Sequence, residues 1–126
     1  MNMAKQLINE IGNKSREFYE FVLPPIDMHM DDNNLIVIVD MPGFDKKNIK
    51  LSIHNNILAI SAIKKNDKGN QSINIIWKQR PAKIEKKILL PVNIKDDKIT
   101  KSAKYLGGIL TISLPRINQG KNIEIE

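Results

Sequence analysis

The chain has 126 residues, 41% of them hydrophobic and 27% charged, enough for one modest core and too apolar for wholesale disorder. It has no cysteine, which excludes a disulfide framework and a zinc–thiolate site and suits the cytoplasm. The formal charge of +6 raises the question of nucleic acid. Yet the lysines are spread along the chain, the arginines are Arg16, Arg80 and Arg116, and aromatics make up only 5%. Stacking platforms for bases are therefore scarce, and the expectation is a solvated lysine-rich surface with no nucleic-acid partner.

The N-terminal stretch "MNMAKQLINEIGNKSREF" lacks the apolar core of a signal peptide, and no run is long enough to span a membrane, so no stable membrane insertion is expected. From residue 4 to 22, Ala4, Leu7, Ile8, Ile11, Phe18, Tyr19 and Val22 follow the rhythm of one helical face, interrupted around Gly12 to Ser15. Pro24 and Pro25 end it, because proline breaks the ladder and restricts the residue before it. No second helix is evident, so the apolar stripe has no helical partner in its own sequence. Another chain or a foreign apolar surface is at least as good a partner as the core.

From Ile26 the period changes to that of strands. "NLIVIVDM" ends at the Pro42-Gly43 turn, and "NIKLSI" alternates at Ile49, Leu51 and Ile53. Asn55-Asn56 joins it to "ILAISAI" in a hairpin. A polar connection follows, from Lys64 to Pro81, carrying the strand-like "SINIIW" at 72–77. "KIEKKILLP" closes at Pro91, and "ITKSAKYL" and "ILTISLP" form a last pair around Gly107 and Gly108. Short strands separated by Gly, Pro and Asn turns, with no helix between them, predict an all-β fold: an immunoglobulin-like antiparallel β-sandwich with an N-terminal amphipathic helix and a flexible C-terminal tail. The expected division is a helical arm over 1–23, a sandwich over 24–115 and an extension over 116–126.

Chemistry is sparse. No phosphate loop of P-loop spacing exists, so direct use of ATP is not expected. His29 and His54 each stand alone in a predicted strand, where a metal site or a catalytic triad would need converging partners. Asp31-Asp32 and Asp96-Asp97 sit in predicted turns, where carboxylates bond nearby backbone N–H groups. The expectation is no catalytic residue, no metal and no cofactor. What is left over is "NIEIE" at the end of the chain, where Ile123 and Ile125 point the same way with no following strand to meet them.

"AKYLGGILTISLP", Ala103 to Pro115, resembles the C-terminal signature of the small heat-shock proteins, the α-crystallin family: a small residue, an Asn-Gly turn, then V-L-T-I-x-[VL]-P. Ile109 stands for valine, and Gly107 stands where that family usually has asparagine or aspartate. "MPGFDKKNIKLSIHNNILAISA", "ILLPVNI" and the terminal "IEI" are similar to further segments of the family, and the closest resemblance is to short archaeal members. The likeness covers roughly residues 26 to 126.

The resemblance implies an α-crystallin domain and an ATP-independent chaperone, a holdase that binds partly unfolded client proteins and assembles as dimers into a larger homo-oligomer. It implies that Ile123 and Ile125 lie in a groove of a neighbouring subunit, for which Ile49, Leu51, Ile53, Ile99 and Ala103 are the candidate lining. It implies a dimer formed by exchange of a strand from the long connection, here Ile73, Ile75, Ile76 and Trp77. Lys86 stands where the family often has a dimer-contact arginine, keeping the charge and losing the bidentate fork. Client binding is expected first at Leu7, Ile8, Ile11, Phe18, Tyr19 and Val22. The competing reading is a β-sandwich co-chaperone-like adaptor that docks one defined partner.

Overall fold

The computed structural model describes residues 3–65, 72–95, 102–117 and 123–126. A helix, α1 (Met3–Val22), precedes β1 (Ile26–Met30), β2 (Asn34–Asp40), β3 (Ile49–His54), β4 (Ile57–Ile63), β5 (Lys83–Leu89), β6 (Ser102–Leu106) and β7 (Ile109–Pro115). All pairings are antiparallel, in a four-stranded sheet β1-β2-β7-β6 and a three-stranded sheet β3-β4-β5. Membership of the core follows the two-residue period of a strand. Leu35, Val37 and Val39 of β2, Leu58, Ile60 and Ala62 of β4, and Leu110, Ile112 and Leu114 of β7 are all buried. Met41, Phe44, Ile84 and Leu90 complete the cluster. No residue of α1 belongs to it, so the sandwich core is built without the helix.

Turn chemistry fixes the ends. Asn55 and Asn56 both have positive φ, 50° and 63°, the backbone a tight β3–β4 hairpin requires. The Asn56 amide also donates to the carbonyls of Leu90 (3.1 Å) and Val92 (2.9 Å), and its oxygen accepts the Ile94 N–H at 3.3 Å. That one side chain holds the segment after β5 beneath the hairpin. In the β6–β7 turn Gly107 and Gly108 have φ of 60° and 80°. Gly108 accepts the Met41 N–H at 2.7 Å, and a Cβ there would sit 3.0 Å from the Pro42 Cα. The Tyr105 hydroxyl donates to the Met41 carbonyl at 2.5 Å, so the Pro42-Gly43 turn is clasped against this hairpin.

At the β1–β2 turn the Asp31 carboxylate accepts the N–H groups of Asn33 (2.8 Å) and Asn34 (2.7 Å). These bonds, more than the nearby Arg116, hold its pKa below the ordinary 3.8. Asp31 is therefore turn chemistry, as the sequence indicated; Asp96 and Asp97 lie outside the described residues.

Three features go beyond what the sequence pattern expresses. The helix runs unbroken through Gly12 to Ser15. Residues 72–77 form no strand, because an isolated run has no ladder unless an edge is offered, and no described strand of the chain pairs with it. The last strand does not end the domain's bonding: Ile94 bridges Arg116, and the Ile117 N–H bonds the Asn93 carbonyl at 2.9 Å.

Gly107→Asn should leave urea stability within about 0.5 kcal/mol, since asparagine tolerates left-handed backbone. Gly108→Ala should cost about 2 kcal/mol or more, because strain and the Pro42 contact add. For Asp31, a depressed pKa stabilises the fold above the ordinary carboxylate range, and the contribution is lost as the pH falls through the lowered pKa. The stability gap between the parent and Asp31→Asn should accordingly close as denaturation is measured below about pH 4.

Candidate interaction surfaces

β3 and β6 are edge strands of opposite sheets, and an apolar groove of about 250 Å³ lies between them. Leu51 and Ile53 of β3 and Ala103 of β6 form its walls; Leu58, Ile112 and Leu114 form its floor, with Ser52 and Ser102 also lining it. The groove exists because the inward rows of edge strands have cover on one side only: Leu51 and Ile53 are half-buried where their neighbours Ile60 and Leu58 are fully buried. Three of the sequence-nominated residues thus lie together. Ile49 does not join them. It shares their face, but at the first position of β3 it sits beside Asp45, Lys46 and Lys47, away from the groove. Ile99 lies outside the described residues. Leu58, Ile112 and Leu114 were missed as lining because they are core positions of inner strands, although their alternation in "ILAISAI" and "ILTISLP" already turned them towards that space. The side chains of Ile123 and Ile125 are almost fully exposed, at 88% and 96%.

The helix meets its own domain through its polar side. Gly12 is its one buried residue, and a Cβ there would lie 3.3 Å from the Lys78 nitrogen and 3.6 Å from the Trp77 ring. The gap in the apolar rhythm is where the long connection crosses the helix closely. Glu20 accepts the N–H groups of Ala82 (3.0 Å) and Lys83 (2.9 Å) and faces the Arg16 guanidinium at 3.7 Å. Lys86 lies in the inward row of β5, opposite Ile60. Its ammonium reaches the Phe21 carbonyl at the helix C-terminus and stands 5.7 Å from the Phe21 ring centre, the end of a helix dipole where a cation is favoured. Within the chain Lys86 therefore ties the helix to the β5 edge.

Turning the polar side inward leaves the apolar stripe outward. Leu7, Ile8, Ile11, Phe18, Tyr19 and Val22 are all exposed, Phe18 at 60%, with Phe18 and Tyr19 packed edge to face at 5.8 Å. Phe21, absent from the expected set, is 80% exposed; it falls off the stripe and only its position beside Lys86 places it. Ile73, Ile75, Ile76 and Trp77 are each about half exposed, and the Trp77 indole donates to Gln79 at 3.2 Å. His29 and His54 are exposed strand residues. Among the described residues no helix is long and apolar enough to cross a membrane.

The family model described as Hsp20/alpha crystallin matches residues 27–126. The chain belongs to that family. Its members are small heat-shock proteins, ATP-independent chaperones and not enzymes, and the two sheets above are the α-crystallin sandwich. The chain is 32% identical to small heat shock protein C2 of Rickettsia felis over 87% of its own length and 77% of that protein's. It is 30% identical to the chloroplastic small heat shock protein of Solanum lycopersicum, of which it spans only 41%. Among solved structures, a point mutant of hsp14.1 from Sulfolobus solfatataricus P2 superposes with a TM-score of 0.76 at 38% identity, covering 99% of this chain and 98% of that one. Heat shock protein 16.0 from Schizosaccharomyces pombe gives 0.65 at 26% identity, covering 83% and 99%. The likeness to the archaeal protein thus takes in the helix as well as the α-crystallin domain.

Glu20→Ala should loosen the helix from the domain. Losing two hydrogen bonds to a largely shielded carboxylate costs about 1–2 kcal/mol of local stability. Amide exchange at Ala82 and Lys83 should then quicken by roughly 5- to 30-fold while exchange in β2 and β7 stays unchanged.

Proposed function

We propose that this small heat-shock protein is a cytoplasmic holdase that captures partly unfolded proteins on its N-terminal helix and assembles through its C-terminal tail. The observation that carries the reading is the orientation of α1. A helix clamped by Glu20, Gly12 and Lys86 through its polar side must present Leu7, Ile8, Ile11, Phe18, Tyr19 and Val22 away from the domain. Exposed clusters of this kind bind unfolded chains by the same burial that drives folding. No nucleotide is needed for such binding, and the lysine-rich surface keeps loaded complexes soluble.

Assembly follows from the open edges. In extended backbone Ile123 and Ile125 project to one side and would enter the groove lined by Leu51, Ile53 and Ala103 of a neighbour, with Glu124 left in solvent. Each buried isoleucine contributes about 1.5–3 kcal/mol before ordering costs, a contact that is reversible singly and strong when repeated round a closed shell. The start of β5 is engaged by α1, and β3 and β6 flank the groove, which leaves β1 as the free edge. Ile73 to Trp77 of a partner would pair there, beside the half-exposed Met28 and Met30, covering an aggregation-prone edge. Heating would release the tail and open both the groove and the helix stripe to clients.

Light-scattering mass at low temperature tests the latch. The intact chain should form a large assembly, and Ile123→Ser with Ile125→Ser should fall to a dimer; equal masses for the two would reject the tail as the joint. In a client-aggregation assay without nucleotide, protection should need stoichiometric protein. Leu7→Ser with Phe18→Ser should lose most of that protection while keeping the sandwich folded by circular dichroism.

A further inference from the structure

A second cavity, of about 850 Å³, lies between α1, the end of β4 and the root of the long connection. Its polar lining is almost all of one sign. Arg16, Lys64, Lys65, Lys78, Arg80 and Lys83 face it, against the single carboxylate of Glu20. That carboxylate is already engaged by Arg16 and by the N–H groups of Ala82 and Lys83. Among the described residues, Lys64, Lys65, Lys78, Arg80 and Lys83 make no ion pair.

The cations are also crowded. From the point where a Gly43 side chain would begin, an Arg80 guanidinium nitrogen is 2.8 Å away and the Lys64 ammonium 3.2 Å away. Gly43, at φ 85°, leaves that point empty. Lys64 stands 5.0 Å from the centre of the Phe44 ring, which offers only a weak partner for its charge. Partial burial, then the neighbouring Arg80 and Lys78, push its pKa below the ordinary lysine value. Like charges gathered at a partly buried site raise the energy of the apo protein, and an anion there relieves the repulsion of several at once. Nothing in client capture or tail docking uses this cluster.

We propose that the basin is a binding site for an oligophosphate anion, a short chain of phosphate groups held by Lys64, Lys78 and Arg80. A phosphate chain puts several negative charges within a few ångströms, matching cations spaced this closely. A carboxylate peptide carries one charge per side chain and spreads them more widely. Arg80 supplies a planar fork that suits phosphate oxygens, and the lysines act as point charges. The cations lie at the ends of β4 and β5 and at Lys78 and Arg80, outside the apolar Ile73–Trp77 run. The phosphate chain could be inorganic or the tail of a nucleotide.

The sequence holds one tryptophan, and it directly precedes Lys78, so its emission reports anion binding at Lys78 and Arg80 whether the Ile73–Trp77 run is free or paired with a partner. Titration with inorganic tripolyphosphate at low ionic strength should give a saturable change in Trp77 emission that weakens as salt is added. Lys78→Gln with Arg80→Gln should raise the dissociation constant about tenfold or more, as expected for lost charge-assisted bonds. Lys87→Gln with Lys104→Gln removes the same charge from strands outside the basin and should leave it unchanged. Should the first pair unfold by circular dichroism, Lys65→Gln with Lys83→Gln takes its place. Adenosine triphosphate binding more tightly than tripolyphosphate would identify the nucleotide as the source, and equal affinity the phosphate chain alone. The proposal is overturned by the absence of a saturable change, by equal weakening in the basin and control pairs, or by a short poly-glutamate peptide that binds as tightly as tripolyphosphate.

Discussion

An open sandwich of four strands on three leaves edge strands whose outer N–H and C=O groups lack a ladder, and the rest of the molecule is arranged around that constraint. β5 is blunted from within its own chain. Glu20 takes the N–H groups at its start, and Lys86, an inward-row charge where a core residue would continue the pattern, is drawn out to the helix end. β3 and β6 stay open, and because they belong to opposite sheets their unpaired edges frame an apolar slot. β1 stays open as well, with Met28 and Met30 along its margin. Each open edge is a surface on which another chain can finish the fold, the physical basis of the assembly and capture proposed above.

The helix answers to the same constraint from the other side. An amphipathic helix beside a sandwich would ordinarily lay its apolar stripe on the domain. Here the core is already closed by β2, β4 and β7, and the surface next to the helix is the polar, cation-rich root of a long connection. Contact is therefore made by a glycine, a carboxylate and a helix-end carbonyl. Those are specific but few, so the arm is held by hydrogen bonds and not by buried area, and it can detach at modest cost. A stripe that is exposed without being loose is a suitable trap for unfolded chains.

The cationic basin beneath the arm is the least reconciled part of the structure. Charges of one sign are gathered where two backbone segments and the helix converge, and the carboxylate among them is committed to holding the helix. An anion there would act on the arm's docking surface and on the root of the connection together. Such binding would link charge neutralisation to the two elements to which capture and assembly are assigned in the proposed function.

The sequence by itself determined the sheets. The apolar runs "NLIVIVD", "ILAISAI" and "ILTISLP" mark three strands, in the last of which alternation names the buried row, and Asn55-Asn56 and Gly107-Gly108 name two hairpins, because a strand's period and a turn's backbone are local properties. It also singled out the helix, the terminal isoleucines and the groove walls at Leu51, Ile53 and Ala103. Only the tertiary structure decided what depends on elements meeting across the chain. It put Leu58, Ile112 and Leu114 on the groove floor and left Ile49 out. It turned the helix polar side inward about Gly12, where the sequence showed only an interrupted rhythm. It brought Lys86 to a helix end, and left the Ile73–Trp77 segment without a ladder among the described strands. It gathered Lys64, Lys78 and Arg80 into one basin, although along the sequence they are three scattered positive charges. Period and turn residues record what each segment prefers; which edge stays open, which face of a helix is used and which charges become neighbours are set by packing at long range.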